Sequence, residues 1–151
     1  MKKRQRLLSI LIILALVFIW GNSLLSKPAS KAISDIIVNA LYAIGEKLGI
    51  SLSASEATEE ALDTSTFFVR KAAHLTEFAV LAALIYLRLE TTGKKRILTA
   101  FLCAAAVGAI DETIQIFSHR GSQIRDVFID AAGALLGLLI ILLFLRRKKP
   151  K

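Results

Sequence analysis

The chemistry of this 151-residue chain is concentrated in three stripes of polar side chains. Arg70, His74 and Glu77 stand at i, i+4 and i+7; Gly108, Glu112, Gln115 and His119 stand at i, i+4, i+7 and i+11; Asp126, Asp130, Gly133 and Gly137 repeat that second spacing. On a helix each set shares one face. Two chemistries suit these residue types. Arginine grips phosphate or carboxylate through paired charge-assisted contacts, and imidazole with carboxylates serves acid–base catalysis or a hydrolytic metal site.

The elements that must hold these stripes are unusually apolar. AVILMFWYC residues make up 55% of the chain and the mean hydropathy is +0.61, whereas an ordinary soluble domain reaches about 45–50% only with glycine included. Four apolar blocks run from Leu7 to Leu25, Phe67 to Leu87, Ile97 to Phe117 and Val127 to Leu145. Each compares with the roughly 17–25 residues a helix needs to cross a bilayer. The second block carries Arg70, Lys71, His74, Thr76 and Glu77 in its first half, the third Asp111, Glu112 and Gln115 near its end, and the fourth Asp130 near its start. A central charge costs about 2.5–3.5 kcal/mol on the insertion scale, and less near a helix end. The net charge of +8 sits between and beside the blocks and not along one basic face, which argues against nucleic acid as a partner. Cys103 is the single cysteine, so no intrachain disulfide forms.

Orientation follows from the basic residues. The amino terminus, the Arg88 to Arg96 turn and the Arg146 to Lys151 tail hold thirteen of the twenty Lys and Arg and a single acid, Glu90. These are alternate loops of a four-span topology, so both termini are expected in the cytoplasm. Lys2, Lys3, Arg4 and Arg6 before an apolar run also fit a secretory signal, but the run is long and residues 24–28 offer no small-x-small cleavage site, which favours an uncleaved first helix. The segment from Ser26 to Val69, with three Lys against six acids, is then expected outside. Within it Ile33, Ile36, Ile37, Ala40, Leu41, Ile44 and Leu48 recur at helical spacing, which predicts an amphipathic helix of about four turns on the membrane surface or over the bundle. Ser53 and Glu56 have capping-box spacing and predict a short helix through Leu62. The fold expected is all-α: an integral membrane four-helix bundle with an amphipathic helix in the first extracytoplasmic segment. Its parts are a first transmembrane helix (1–25), the extracytoplasmic segment (26–66), a three-helix region (67–145) and a basic tail (146–151).

This topology puts the start of the second span, the end of the third and the start of the fourth at one height. The expectation is one outward-facing polar pocket built from Arg70, Lys71, His74, Glu77, Asp111, Glu112, Gln115, His119, Arg120, Arg125, Asp126 and Asp130. For Lys71 and Arg125 taken singly, snorkelling to headgroups fits as well. His119 and Arg120 fit a solvated loop. As a set, ionisable residues in spans point to function, because Ser, Thr or Gly would serve packing at lower cost. Gly133 and Gly137 form a GxxxG pair that suits close helix packing.

The segments FVRKAAHLTEF (68–78), DETIQIFSHR (111–120) and RDVFIDAAG (125–133) resemble the VanZ-like family of membrane proteins, which is associated with glycopeptide (teicoplanin) resistance. The resemblance is close over Phe67 to Leu145 and looser over the first helix. It maps the family's RKxxHxxE residues onto Arg70, Lys71, His74 and Glu77, its DExxQ residues onto Asp111, Glu112 and Gln115, and its third motif onto Arg120, Asp126, Asp130 and Gly133. The family's biochemical activity is undefined, so the resemblance implies a membrane protein and names no cofactor.

Two functional readings stay open. In the first, Arg70, His74, Arg120 and Arg125 at the rim bind the anionic group of a membrane lipid or lipid-linked envelope precursor, with Glu77, Asp111, Glu112 and Asp130 holding those cations or carrying protons. In the second, His74, Glu77, Asp111, Glu112 and His119 serve an intramembrane hydrolase or transferase, with or without a metal. The second lacks an HExxH motif and a nucleophile elbow. A purely structural subunit would need the pocket charges to satisfy one another.

Overall fold

No proline interrupts a helix beyond its first turn, and the computed structural model, which describes residues 2–49, 58–117 and 124–147, is helical almost throughout. Among the described residues there are five helices: α1 (Lys2–Leu24), α2 (Lys27–Lys47), α3 (Glu59–Arg88), α4 (Gly93–Phe117) and α5 (Ile124–Arg147). Among the described residues, α1, α4 and α5 are long and apolar enough to cross a membrane. The expected span from Phe67 to Leu87 lies within the 30-residue α3, whose charged residues keep it out of that set. Exposed Leu, Ile, Val and Phe side chains run along α1, α4 and α5, the surface that suits a hydrocarbon surround.

Local sequence explains the ends. Pro28 lies in the first turn of α2, where its missing N–H costs no helical bond. Gly49 closes that helix with φ of 75°, a left-handed conformation that glycine adopts without strain. Thr58 Oγ1 accepts the Ala61 N–H at 3.2 Å, and Glu59 and Glu60 follow in the first turn of α3, both favourable at a helix N-terminus. That cap makes residues 59–66 part of the long helix, so Leu62 belongs to α3 and not to a separate short one; the Ser53 and Glu56 capping box itself lies outside the described residues. At the other end of α3, Arg96 donates to the carbonyls of Tyr86 (2.6 Å) and Leu87 (3.2 Å) and stacks 4.3 Å over the Tyr86 ring. It thereby satisfies carbonyls that a helix C-terminus leaves unpaired. Arg88 donates to Ser9 Oγ at 3.0 Å and ties α3 to α1 at this same end.

α3 is the central helix, packed against each of the other four. Ala82, Tyr86, Ala100, Ala104, Ala134 and Leu138 form a seam of α3, α4 and α5, and Ile19, Phe78 and Leu81 join α1 to α3. The α3–α5 approach is closest at Gly133 and Gly137, where a Cβ would overlap the backbone of Leu75 and of Ala79.

Of the two expected positions for the apolar stripe of α2, covering the bundle is not what the packing shows. Ser34, Val38 and Gly45 are its buried residues, while Ile33, Ile36, Ile37, Leu41, Ile44 and Leu48 are exposed. Polar bonds fasten it instead: Thr66 Oγ1 donates to Asp35 at 2.7 Å, and Lys31 reaches Asp63 at 2.9 Å and Asp35 at 3.4 Å. The Thr66 hydrogen bond, with help from Lys31, holds the Asp35 carboxyl below its ordinary 3.8, and Asp63 foremost holds the Lys31 ammonium above 10.5. The Asp35 contribution is present above the ordinary value and fades as pH falls through the folded one; that of Lys31 fades only as pH rises past its raised value. The clasp is therefore intact across the neutral range.

Candidate functional site

Opposite the Arg88 and Arg96 end, four helices bring polar side chains together. Asp111 of α4 is fully buried. Ser23 of α1 donates to its Oδ1 at 2.6 Å and Gln115 donates to its Oδ2 at 2.8 Å. The Gln115 amide also lies 3.3 Å from Glu112 Oε1 and 3.4 Å from Ser23 Oγ. Glu112 and Gln115 are 4% and 3% exposed. This group orients Asp111 with two donors, as a carboxylate in a low-dielectric surround requires.

His74 of α3 and Asp130 of α5 face each other across the same layer. His74 Nδ1 stands 3.6 Å from Asp130 Oδ1, beyond hydrogen-bond length. Asp130 is 1% exposed, and among the described residues neither of its carboxylate oxygens has a hydrogen-bond partner. Gly108 makes room for it: a Cβ there would come within 3.2 Å of both Asp130 Cβ and Oδ2. An imidazole at this position in a span calls for an acid on the third or fourth apolar block, with Asp111 or Glu112 the first expectation; the acid found is on the fourth block. The ion-pair partner is Asp130, because the α3–α5 approach through Gly133 sets α5 closest to that face of α3. Asp111 still belongs to the group, since single ligand atoms of His74, Asp111 and Asp130 all lie within 4.8 Å of one another.

Glu77, one turn below His74, accepts from Asn22 Nδ2 of α1 at 3.1 Å. Arg70, His74 and Glu77 line a cavity of about 290 Å³ between α1, α2 and α3, with Asn22, Ser30 and Ser34 as further polar lining. A larger and more apolar groove of about 610 Å³ adjoins it and shares Phe18, Ile37, Val69, Ala73 and Glu77.

The remaining expected residues separate from this centre. Lys71 forms an ion pair with Asp126 and sits 5.3 Å over the Phe67 ring, a tie between α3 and α5. Arg125 is exposed. His119 and Arg120 lie outside the described residues. Two participants were not anticipated, Asn22 and Ser23 of α1. Their signal was the polar break that ends the first apolar block, which on the expected topology reaches the same height as the three stripes.

A model of the VanZ/LLP1 family matches residues 7–145. No curated protein and no solved structure matches the chain.

Proposed function

The chain belongs to the VanZ/LLP1 family, and with that as premise we propose that it is a multi-pass inner-membrane protein whose outward-facing cavity binds an anionic amphiphile, a membrane lipid or lipid-linked envelope precursor. One observation carries the reading: a largely apolar cavity that carries Arg70, His74, Asn22, Ser30 and Ser34 on its wall runs into a still more apolar groove through shared residues. A headgroup and a chain need that succession of surfaces. Arg70 supplies the planar donor set for phosphate or carboxylate, and α2, with its exposed isoleucines and leucines, closes one side of the cavity toward lipid.

In this reading α3 crosses the membrane with α1, α4 and α5. Two of its charges are matched to neighbours, Glu77 by the Asn22 amide and Lys71 by Asp126. Matching of this kind lowers the cost of charge in a span. The basic end of the bundle, with Arg88 and Arg96, then faces the cytoplasm and the cavity faces out. A cysteine at Ser55, in a Cys103→Ser background, should react with a membrane-impermeant thiol reagent in intact cells. Reaction only of a cysteine placed at Thr92 would mean the reverse orientation.

Binding is tested on detergent-purified protein with a polyprenyl phosphate and with phosphatidylglycerol, against neutral phosphatidylcholine as control. Saturable binding of an anionic lipid is expected, weakened at least about tenfold in Arg70→Ala, since a hydrogen bond to a charged group contributes about 1.5–3 kcal/mol. Equal binding of the neutral lipid, or no effect of Arg70→Ala, would reject the reading. The glycopeptide phenotype that the resemblance implies gives the cellular readout. A second reading, an intramembrane hydrolase or transferase, is favoured by the His74 imidazole, which lines the cavity and stands 3.6 Å from the buried Asp130 carboxylate, an arrangement suited to proton transfer.

A further inference from the structure

We infer that His74, Asp111 and Asp130 form a binding site for one divalent transition-metal cation, with zinc the closest chemical match. The inference goes beyond amphiphile binding and does not depend on it. Three observations converge. The ligand atoms are already gathered: one from each residue falls within a 4.8 Å set, and donors about 2.1 Å from a common ion stand about 3–4 Å apart, so rotation of the side chains closes the remaining gap. The His74 Nδ1 to Asp130 Oδ1 separation of 3.6 Å is already in that range.

The second observation is the contrast between the two aspartates. Asp111 is held by Ser23 and Gln115, each on a different oxygen, and a carboxylate oxygen that accepts one hydrogen bond keeps a lone pair for a metal. Metal-ligating carboxylates are oriented in this way by outer hydrogen bonds. Asp130 has no such donors among the described residues, although it is 1% exposed. A bare carboxylate so placed is costly unless a cation meets it, and a divalent ion would also offset the charge of Asp111.

The third observation is the choice of atoms. One imidazole nitrogen with two carboxylate oxygens suits zinc or manganese, whereas magnesium and calcium favour all-oxygen sites. His74 lines the cavity, while Asp111 and Asp130 are buried behind it, so His74 is the ligand nearest an entry path. No further ligand is needed from the described chain, because three protein ligands with one open position is the arrangement of a reactive metal centre.

The test uses the full-length protein in detergent, stripped with a chelator, incubated with Zn²⁺ alone, desalted and assayed for metal. About one ion per chain is expected. Asp130→Asn and His74→Ala should each lose it, while Arg70→Ala, which alters the cavity and no ligand, should retain it. Substoichiometric zinc in the wild type, or full zinc in Asp130→Asn, overturns the proposal. Should the variants fail to fold, X-ray absorption of the zinc-loaded wild type decides: one imidazole with oxygen donors supports the site, and two or more imidazoles or a sulfur donor refutes it. No lipid enters this assay. A chain that takes up zinc but no anionic lipid sinks only the amphiphile reading, and the converse sinks only this one.

Discussion

Gly137→Leu is expected to reduce the protein in the membrane fraction to a small part of the wild-type level. The reason lies in what the new side chain meets. Even a Cβ at Gly137 would overlap the carbonyl, carbonyl carbon and Cα of Ala79, which are backbone atoms of the helix on which every other helix packs. Flexible side chains can turn away from such a contact; a helical carbonyl moves only with its helix. Overpacking of a well-filled core costs about 1–3 kcal/mol when side chains can adjust, and backbone overlap exceeds that. Forcing α3 from α5 would also open the seam of Ala82, Tyr86, Ala134 and Leu138 and draw Asp130 away from His74. Gly21→Leu is the matched control. It too lies in an apolar helix, but nothing comes within 4 Å of its Cβ position, so near-normal abundance is expected. Quantitative immunoblotting of membranes for both variants checks the pair, and wild-type abundance of Gly137→Leu would refute the described α3–α5 packing.

That GxxxG spacing was visible in the sequence, and so were the positions of α1, α4 and α5, because a long apolar run can satisfy its backbone only as a helix when its surround is hydrocarbon. The starts of α3 and α4 were not. The helices begin at Glu59 and Gly93, upstream of the apolar blocks that begin at Phe67 and Ile97, since backbone hydrogen bonding continues through polar residues that hydropathy ignores. The apolar stripe of α2 was legible, and the sequence left two directions open for it, toward the membrane surface or over the bundle. Periodicity reports that Ile33, Ile37, Leu41 and Ile44 share a face, and in a soluble protein that face would turn inward. Here those residues are exposed and Ser34, Val38 and Gly45 pack inward, which small residues allow.

At the site, helical spacing found His74, Glu112, Gln115 and Asp130 as members of stripes. It placed Asp111 beside its stripe, although Asp111 is the more deeply buried of the two neighbouring acids. One residue step on a helix turns about 100°, so adjacent residues can straddle one interface, and only the neighbours decide which faces inward. Ser23 and Asn22 escaped for a related reason. Short polar residues at the end of an apolar run read as its boundary, and their bonds to Asp111 and Glu77 join residues 88 and 55 positions apart, a pairing that spacing within one helix does not contain.

The second large effect separates the site from the scaffold. Arg70→Ala, His74→Ala, Glu77→Gln, Asp111→Asn and Glu112→Gln are each expected to abolish the proposed lipid binding, and any envelope phenotype that goes with it, while leaving membrane levels near normal. Arg70 and Glu77 line the cavity. Glu77→Gln keeps an oxygen for the Asn22 amide, and Asp111→Asn keeps one for the Ser23 hydroxyl, so the hydrogen bonds that join α1 to the bundle survive while the charge is lost. His74→Ala is the most demanding case. If the site were structural ion pairing alone, removing the imidazole would strand Asp130, and breaking a buried pair costs about 3–5 kcal/mol, enough to remove the folded protein as Gly137→Leu does. Against that stands the geometry of the pair: His74 at 3.6 Å supplies no hydrogen bond to Asp130, so the variant breaks no hydrogen bond there and removes only the charge interaction. Abundance and phenotype measured side by side distinguish these outcomes, and disappearance of all five variants from the membrane would reassign the cluster from ligand chemistry to scaffold.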